Sequence, residues 1–340
     1  MGMRFSLAAV VVLVLLAFFG VRTAGLTHFF GVTVPYLAIF LFLGGVVYRV
    51  LKWARSPVPF RIPTTAGQQK SLSWIKQSKL DNPCTTRQAV GRMILEVLVF
   101  RSLFRNTKFE MEKGPKFYYQ WEKWLWLAGL AFHYCFLVIL IRHLRFFTEP
   151  VPFFVHDIER LDGFLQVGLP GIYITDMIFM VAVTYLLIRR VIIPQVRYIS
   201  LPQDYFPLLL IFAVGTTGIL TRYFIKVDLI KVKQLVMGII SFKPVVPEGI
   251  GVVFFIHLFL VSILFAYFPF SKLMHAGGVF LSPTRNLPND TRIRRHINPW
   301  NYPVKVHTYA EYENHFREKM VEAGLPVEKE LDEAEAAAKN

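Results

Sequence analysis

The chain has 340 residues, of which 54% are apolar, and its formal net charge is +15. The apolar residues come in long blocks rather than at the intervals of a soluble amphipathic surface, which argues against a soluble globular protein. A basic balance can indicate nucleic-acid binding, but no basic stripe lies on a soluble domain here, and the positive-inside rule explains the charge better.

Six apolar blocks each come close to the roughly 20 residues that a helix needs to span a bilayer. They run over 5–21, 32–50, 124–142, 172–193, 206–224 and 250–270. We predict an all-α polytopic protein of the cell membrane with about six transmembrane helices, because helices satisfy their own backbone hydrogen bonds in lipid. The first block also resembles a signal peptide, but no clear A-x-A cleavage site follows it, and we expect a retained helix.

Four parts are predicted in chain order. Residues 1–51 form a two-helix membrane hairpin, 52–121 a basic cytoplasmic loop, 122–277 a four-helix bundle, and 278–340 a cytoplasmic arm with an acidic tail. The loop holds 13 Lys and Arg against four acidic residues, so the positive-inside rule places both termini in the cytoplasm.

Two amphipathic segments lie outside the spanning blocks. Within the loop, TRQAVGRMILEVLVFRSLFRN (86–106) has helical period with arginines on one side, which suits a membrane surface or a partner. The connection 222–248 should lie outside, yet it carries Arg222 and four lysines. Its centre, LIKVKQLVMGIISF, predicts a helix lying on the outer leaflet.

Four of the nine histidines lie in or just beyond two membrane blocks: His133 and His143 in the third, His257 and His275 in the sixth. An ionisable group in a membrane segment indicates function, because it is costly there unless it is paired. Any one of them, taken alone, could equally donate a hydrogen bond to a neighbouring helix.

The spacing of the four histidines predicts two pairs. His257 and His275 are 18 residues apart, or five turns, so they would share a face of one helix. His133 and His143 are ten apart, about 80° round the helix. Antiparallel packing then pairs His133 with His275 at the cytoplasmic end and His143 with His257 at the outer end. The rises of ~15 Å and ~27 Å differ, so the helices must tilt or bend near Pro269.

Two imidazole pairs at different depths are what two bis-histidine b haems require. A haem is a flat apolar disc that packs between the helices of a bundle, and its iron takes one nitrogen from each side. We predict His133 and His275 as axial ligands of an inner haem b and His143 and His257 as those of an outer one. A zinc ion needs three or four ligands close together, and the two cysteines, without a C-x-x-C motif, argue against an iron–sulfur cluster or covalent haem in this chain.

The paired histidines and the phrase YFPFSKLMH (267–275) resemble the gamma subunit of respiratory nitrate reductase, a cytochrome b, over 121–277. The phrases FHYCFLVILIRHLRFF and LMHAGGVFLSPTRNLPNDTRIRRHINPWN resemble more closely the membrane cytochrome b of the sulfite-reductase-associated complex of sulfate reducers, which is called the Hdr-like menaquinol-oxidising complex in archaea. The first helix, the loop 52–121 and the long tail depart from the nitrate reductase subunit.

The resemblance implies two haem b groups, menaquinol as substrate, and a cytoplasmic iron–sulfur partner related to heterodisulfide reductase, together with other membrane and extracytoplasmic subunits. Electrons would pass from menaquinol near the outer face through the outer and inner haems to that partner. The reverse direction, quinone reduction, stays open because it depends on the haem potentials.

Quinol oxidation releases protons, so a titratable group is expected near the outer haem. His156, with Asp157 or Arg160 beside it, is the candidate quinol site, although these are equally typical of an interfacial loop. A transporter with a histidine proton relay is an alternative, but broken helices and repeated halves are not evident. A bare membrane anchor is another, yet it would not need four placed histidines.

The arm after the last block, 282–301, is rich in Pro, Asn and Arg. Because an electron acceptor must approach the inner haem and Arg is enriched in interfaces, we predict that the arm docks the iron–sulfur partner. A solvated tail is the alternative. The arginines concerned are Arg285, Arg292, Arg294 and Arg295.

Overall fold

The computed structural model describes residues 2–57, 63–111, 117–164, 166–167, 170–282, 284–290, 303 and 305–329, with side chains for all of these except 107–121 and 167. The chain folds into two compact units, Met1–Asp290 and Thr291–Asn340. The predicted sites that fall in the described residues all lie in the first unit.

The first unit is built mainly from helices, and the longest of these coincide with the apolar blocks of the sequence. They are α1 (Gly2–Arg22), α2 (Val34–Ala54), α3 (Thr86–Val99), α4 (Arg101–Phe104), α5 (Lys123–His143), α6 (Phe153–Phe164), α7 (Ile174–Ile192), α8 (Pro194–Ile199), α9 (Pro202–Ile219), α10 (Leu229–Ile240), α11 (Val252–Tyr267) and α12 (His275–Gly278). Two short antiparallel hairpins add β1 (Thr107–Met111) with β2 (Phe117–Trp121), and β3 (Gln166–Val167) with β4 (Ile172–Tyr173).

Five helices of the described chain are long and apolar enough, by length and composition, to cross a membrane. The first is α1, Gly2–Arg22. The other four are α2, α5, α9 and α11, each taken together with the helical turn that adjoins it: Phe29–Ala54, Lys123–Phe146, Pro202–Phe224 and Val252–Phe270. The remaining apolar block forms α7, which carries Asp176 near its start and Arg189 and Arg190 near its end. The predicted all-α, polytopic, multi-pass membrane protein is confirmed.

The two N-terminal helices pack on the bundle. Helix α1 lies against α9 and α11, and α2 lies against α11. The Ser6 hydroxyl of α1 donates to the Pro202 carbonyl at the start of α9, 2.9 Å away. A Cβ atom at Gly45 of α2 would lie 2.5 Å from the Pro269 ring, so glycine permits the close approach of α2 to the end of α11.

The histidine-bearing helices α5 and α11 are not direct packing neighbours in the described residues. The chief neighbours of α5 are α7 and α6, whereas α11 packs mainly against α1, α2 and α9. Only three residues of α5 are buried: Gly129, Cys135 and Arg142. Helices α7 and α9 therefore connect the two histidine-bearing helices.

The last apolar block is not one continuous helix, which corrects the five-turn argument for His257 and His275. Helix α11 ends at Tyr267, and two 3₁₀ turns, Phe268–Phe270 and Lys272–Met274, separate it from α12. Pro269 has no N–H for the α-helical ladder. Ser271 is extended, and its hydroxyl accepts a hydrogen bond from the Leu273 N–H at 3.1 Å, which starts a new turn.

The two amphipathic segments predicted outside the spanning blocks are helical. The segment 86–106 contains α3 and α4, joined at Phe100, and 222–248 contains α10, whose Asp228 cap accepts from the Ile230 N–H at 2.9 Å. The hairpin β1–β2 between α4 and α5 was not predicted.

The second unit contains one described helix, α13 (Tyr309–Glu322). Thr308 and Glu311 form its capping box. The buried Glu313 carboxylate accepts the backbone N–H groups of Glu328 and Lys329 at 2.9 and 3.0 Å, which fastens the chain after the helix. These hydrogen bonds lower the pKa of Glu313 although burial opposes the shift.

Candidate haem and quinol sites

The four histidines lie in the two predicted pairs. The ring centroids of His133 and His275 are 6.0 Å apart, and those of His143 and His257 are 6.5 Å apart. Along α5 the two levels are ten residues, or about 15 Å, apart. A straight helix would separate His257 and His275 by ~27 Å. The break at 268–274 removes this constraint, so both pairs can form.

The imidazoles of three of these histidines are oriented by backbone carbonyls. Each Nδ1 lies within hydrogen-bond distance of a carbonyl oxygen three or four residues earlier: 2.7 Å for His133 and Gly129, 2.7 Å for His143 and Ile139, and 2.9 Å for His275 and Lys272. A carbonyl can only accept, so Nδ1 carries the proton and Nε2 keeps its lone pair.

The fourth histidine reaches the same state through a side chain. The Nδ1 atom of His257 lies 3.0 Å from the Thr217 hydroxyl on α9. That hydroxyl donates its own proton to the Ala213 carbonyl at 2.9 Å, so it accepts the Nδ1–H of His257. Fixing Nδ1–H in this way sets the tautomer and leaves the basic Nε2 available to a metal.

These pairs fit a bis-histidine haem. With metal–imidazole bonds of about 2 Å, two imidazoles on opposite sides of one metal have ring centroids about 6 Å apart. The observed 6.0 and 6.5 Å agree with this distance. In all four imidazoles the hydrogen bonds described above engage Nδ1 rather than Nε2. A Cβ at Gly218 would lie 3.3 Å from the His257 ring, so glycine leaves room beside this imidazole.

Aromatic rings pack against His133 of the His133–His275 pair. The rings of Phe100 and Phe132 lie 5.0 and 4.9 Å from that of His133, both edge to face. Phe132 in turn stacks on Phe179 of α7 at 5.6 Å. Phe100 belongs to the predicted loop 52–121, so this loop contributes directly to the inner site.

A buried ion-pair network lies beside the outer pair, and the sequence reasoning missed it. Arg142, next to His143, is 5% exposed and pairs with Asp162 at 2.8 Å and with Asp176. Asp162 also accepts from the Thr175 hydroxyl at 2.6 Å, and Asp176 from the Tyr223 hydroxyl. The signal was present, because Arg142 and Asp176 are charged residues inside apolar blocks.

A second ion-pair cluster extends the network towards the surface. Glu159 of α6 pairs with Arg145 at 2.6 Å and with Arg222 at 3.1 Å. Burial alone would raise the pKa of Glu159, but the hydrogen bonds from the two arginines lower it below its usual value. Arg222 also lies 4.5 Å from the centroid of the Tyr173 ring. Positive and negative groups are thus balanced at this end of the bundle.

A cavity of about 500 Å³ opens between α10 and the turn that follows α5. Its polar lining is Arg145, Lys233 and Gln234, and Phe146 is among its apolar lining residues. The Phe146 ring lies 6.0 Å from that of His143, so one side chain separates the cavity from the outer pair. The volume is within the range of small-molecule sites.

The predicted quinol residues lie elsewhere. His156, Asp157 and Arg160 are exposed on α6, with Arg160 3.7 Å from Asp157, and none of them lines the cavity. The inward side of α6 carries Glu159 and Asp162 instead. A role for the exposed trio stays a prediction.

Only the start of the predicted docking arm falls in the described residues. Arg285 lies 3.4 Å from the Glu96 carboxylate of α3. The Asn289 N–H donates to the Pro83 carbonyl at 2.6 Å. Arg292, Arg294 and Arg295 lie outside the described residues.

Residues 93–295 match the family model of the nitrate reductase gamma subunit. An Archaeoglobus fulgidus protein called Hdr-like menaquinol oxidoreductase cytochrome b-like subunit is 46% identical over 289 residues, which cover 83% of this chain and 86% of the relative. A protein of the same name from Archaeoglobus profundus is 44% identical over 274 residues, 78% of this chain and 81% of the relative. The chain therefore belongs to the nitrate reductase gamma subunit family, in the group of these Hdr-like cytochrome b-like subunits.

Proposed function

We propose that this membrane cytochrome b, a subunit of a quinol oxidoreductase, oxidises menaquinol near the outer face and passes electrons through two b haems to a cytoplasmic iron–sulfur partner. Its relatives are named as menaquinol oxidoreductase subunits of an Hdr-like complex, which supports the substrate and the presence of partner subunits. The observation that carries the proposal is the set of four histidines in two pairs, each with Nδ1 bonded to an oxygen.

His133 and His275 would hold the inner haem, and His143 and His257 the outer one. A bound haem supplies an iron that gains and loses one electron, and the axial imidazoles help to set its potential. The chain's own task would be to hold each imidazole in the Nδ1–H tautomer, which leaves Nε2 available to the iron. Three backbone carbonyls and the Thr217 hydroxyl support this role.

We further propose that the quinol headgroup binds in the cavity beside Phe146. Lys233 and Gln234 can donate hydrogen bonds to the headgroup oxygens, and the Phe146 ring supplies contact with its apolar rings. The carboxylates of Glu149 and Glu159, which are paired with Lys233 and Arg145, lie next to the cavity cations. As partners of two lining cations, they are the candidate acceptors of the protons that quinol oxidation releases.

Haem analysis of single variants tests the haem assignment. His143→Ala and His257→Ala should remove the same component of the reduced-minus-oxidised spectrum, and His133→Ala and His275→Ala the other. Pyridine-haemochrome analysis of the parent protein should give two b haems per chain. One haem or none in an assembled preparation, or loss of the same component in His133→Ala and His257→Ala, contradicts the assignment.

The cavity is tested by the rate at which a naphthoquinol reduces the haems. Lys233→Met combined with Gln234→Leu should slow the reduction at least tenfold, because two hydrogen bonds to the headgroup are lost at about 1 kcal/mol each. Lys231→Met is the matched control, since Lys231 lies on the same helix but bonds the Glu248 carbonyl. If His156→Ala slows the reduction and the cavity variant does not, the exposed face of α6 is the quinol site.

A further inference from the structure

Helix α3, in the loop before the bundle, has an apolar face that no described residue covers. Val90, Ile94 and Leu98 are 52%, 51% and 52% exposed. Their spacing of four residues places them within about 80° of one another on the helix surface. Three large apolar side chains in line on one helix face indicate contact with an apolar environment.

The opposite face of α3 is polar and already occupied. The Arg92 guanidinium donates to the Thr64 carbonyl at 2.6 Å. The Glu96 carboxylate accepts from the backbone N–H and the hydroxyl of Ser102 at 3.0 and 2.7 Å. The helix is therefore amphipathic, with its polar side held by the protein and its apolar side open among the described residues. The exposed Arg87, in the first turn, lies on the same side as Val90 and Ile94.

The end of α3 is fastened to a membrane-spanning helix. The indole Nε1–H of Trp126 donates to the Val99 carbonyl at 2.7 Å, and the Tyr134 hydroxyl donates to the Leu98 carbonyl at 2.9 Å. Tyr134 is 11 residues, or about 16 Å, past the first residue of α5, and helix side chains lean back towards the N-terminus. The carbonyl of Leu98 thus lies beside α5, inside the start of the spanning segment.

We propose that α3 is embedded in the bilayer, with Val90, Ile94 and Leu98 in the acyl layer of the leaflet at the His133–His275 end. Helix α5, to which the end of α3 is fastened, also exposes apolar side chains, with Leu127 and Leu137 47% and 48% exposed. Amphipathic helices at membrane surfaces are buried to a depth of about 5–10 Å in the same manner. The proposal goes beyond electron transfer and does not depend on it.

The position of α3 matters for the inner site because the next residue after the helix is Phe100. This residue has the left-handed conformation, with φ of 51°, and it turns the chain from α3 into α4. Its ring contacts that of His133. A lipid-embedded α3 would therefore close the side of His133 with an aromatic ring and exclude water from it.

Nitroxide scanning of the full chain in lipid vesicles tests the proposal. Single cysteines replace Val90, Ile94 and Leu98 in a background with Cys84→Ser and Cys135→Ala, and Lys76→Cys, on the exposed loop surface, is the control. Size-exclusion elution identical to that of the parent protein selects the folded variants. Collision of each label with oxygen, which concentrates in the acyl layer, is compared with collision with a polar nickel chelate.

We expect the ratio of oxygen to nickel collisions to be several-fold higher at Ile94 and Leu98 than at Lys76, with the highest ratio at Leu98. Nickel collisions at Ile94 and Leu98 as frequent as at Lys76 would place the face in water and overturn the proposal. Labels that neither reagent reaches would show that protein covers the face, which overturns it equally.

Discussion

Replacing Thr217 with valine removes one oxygen from the candidate outer site and changes the side-chain volume little. The Thr217 hydroxyl accepts the Nδ1–H of His257, whereas the other three histidines bond backbone carbonyls that no side-chain substitution removes. Thr217 is thus the position at which the orientation of a proposed ligand can be tested without replacing the ligand itself.

The expected loss follows from the geometry. In Thr217→Val the Nδ1–H of the half-buried His257 loses its hydroxyl acceptor and keeps only the nearby Val214 carbonyl. A buried donor left without a well-placed partner costs about 1–3 kcal/mol. Loss of a partner that orients a metal-bound histidine weakens metal binding about 10–100-fold, or about 1.4–2.8 kcal/mol. The two estimates agree because both measure the same missing hydrogen bond.

The assay is haem content and the reduced-minus-oxidised spectrum after titration with haem. Thr217→Val should lose the component that His257→Ala removes and keep the component assigned to His133 and His275. Thr217→Ser retains the hydroxyl and should behave as the parent protein. If valine and serine give the same haem affinity, the hydrogen bond does not support the ligand and the reasoning is refuted.

Three further predictions concern the charged groups. Arg142→Met should lower the free energy of unfolding by about 3–5 kcal/mol, because Asp162 and Asp176 would remain buried without their partner. The measurement is chemical unfolding in detergent. The control is Arg160→Met, at an exposed ion pair, which should change the free energy of unfolding by less than about 1 kcal/mol. The hydrogen bond from Arg101 keeps the pKa of Asp81 well below its usual value of 3.8. The ionised Asp81 therefore stabilises the fold fully above pH 3.8, and this stabilisation is lost as the pH falls further. Amide exchange around Asp81 should rise only at acid pH, and Asp81→Asn should abolish this dependence. Neutralising the arginines of the arm should reduce copurification of the partner, most strongly at low salt, where their charges are least screened, and should leave both haem spectra intact. Retention equal to that of the parent protein across the salt range would contradict docking by the arm. These arginines are Arg285, Arg292, Arg294 and Arg295.

The helical architecture was largely predictable because lipid allows the backbone few alternatives. Apolar length located the spanning helices, and helical period located α3 and α10. The histidine pairs followed from the antiparallel directions of α5 and α11, although these helices are not direct packing neighbours and His257 and His275 are not on one helix. The prediction of one continuous helix was wrong for a local reason. Pro269 lacks the N–H that an α-helix needs, and Ser271 caps a new turn, and neither effect can be read from the spacing of two histidines.

The outer site was less predictable because its residues come from distant segments. Arg142, Asp162 and Asp176 belong to three different helices, and no spacing rule relates them. The cavity at Phe146 depends on how α10 packs against the turn after α5, which the amphipathic pattern of α10 does not specify. A local pattern in α6 directed attention to His156, whereas the folded helix turns that residue to its exposed side.

The unbroken α5 and the interrupted segment from α11 to α12 differ in their tolerance of length changes. One residue inserted between His133 and His143 rotates one histidine about 100° relative to the other and shifts it by about 1.5 Å along the axis, the helical step. Such an insertion would turn one imidazole away from its partner. Between Tyr267 and His275 the chain is already irregular, so an added residue can enlarge a turn without rotating α11. Length variation among homologous chains should therefore concentrate in the second interval and spare the first.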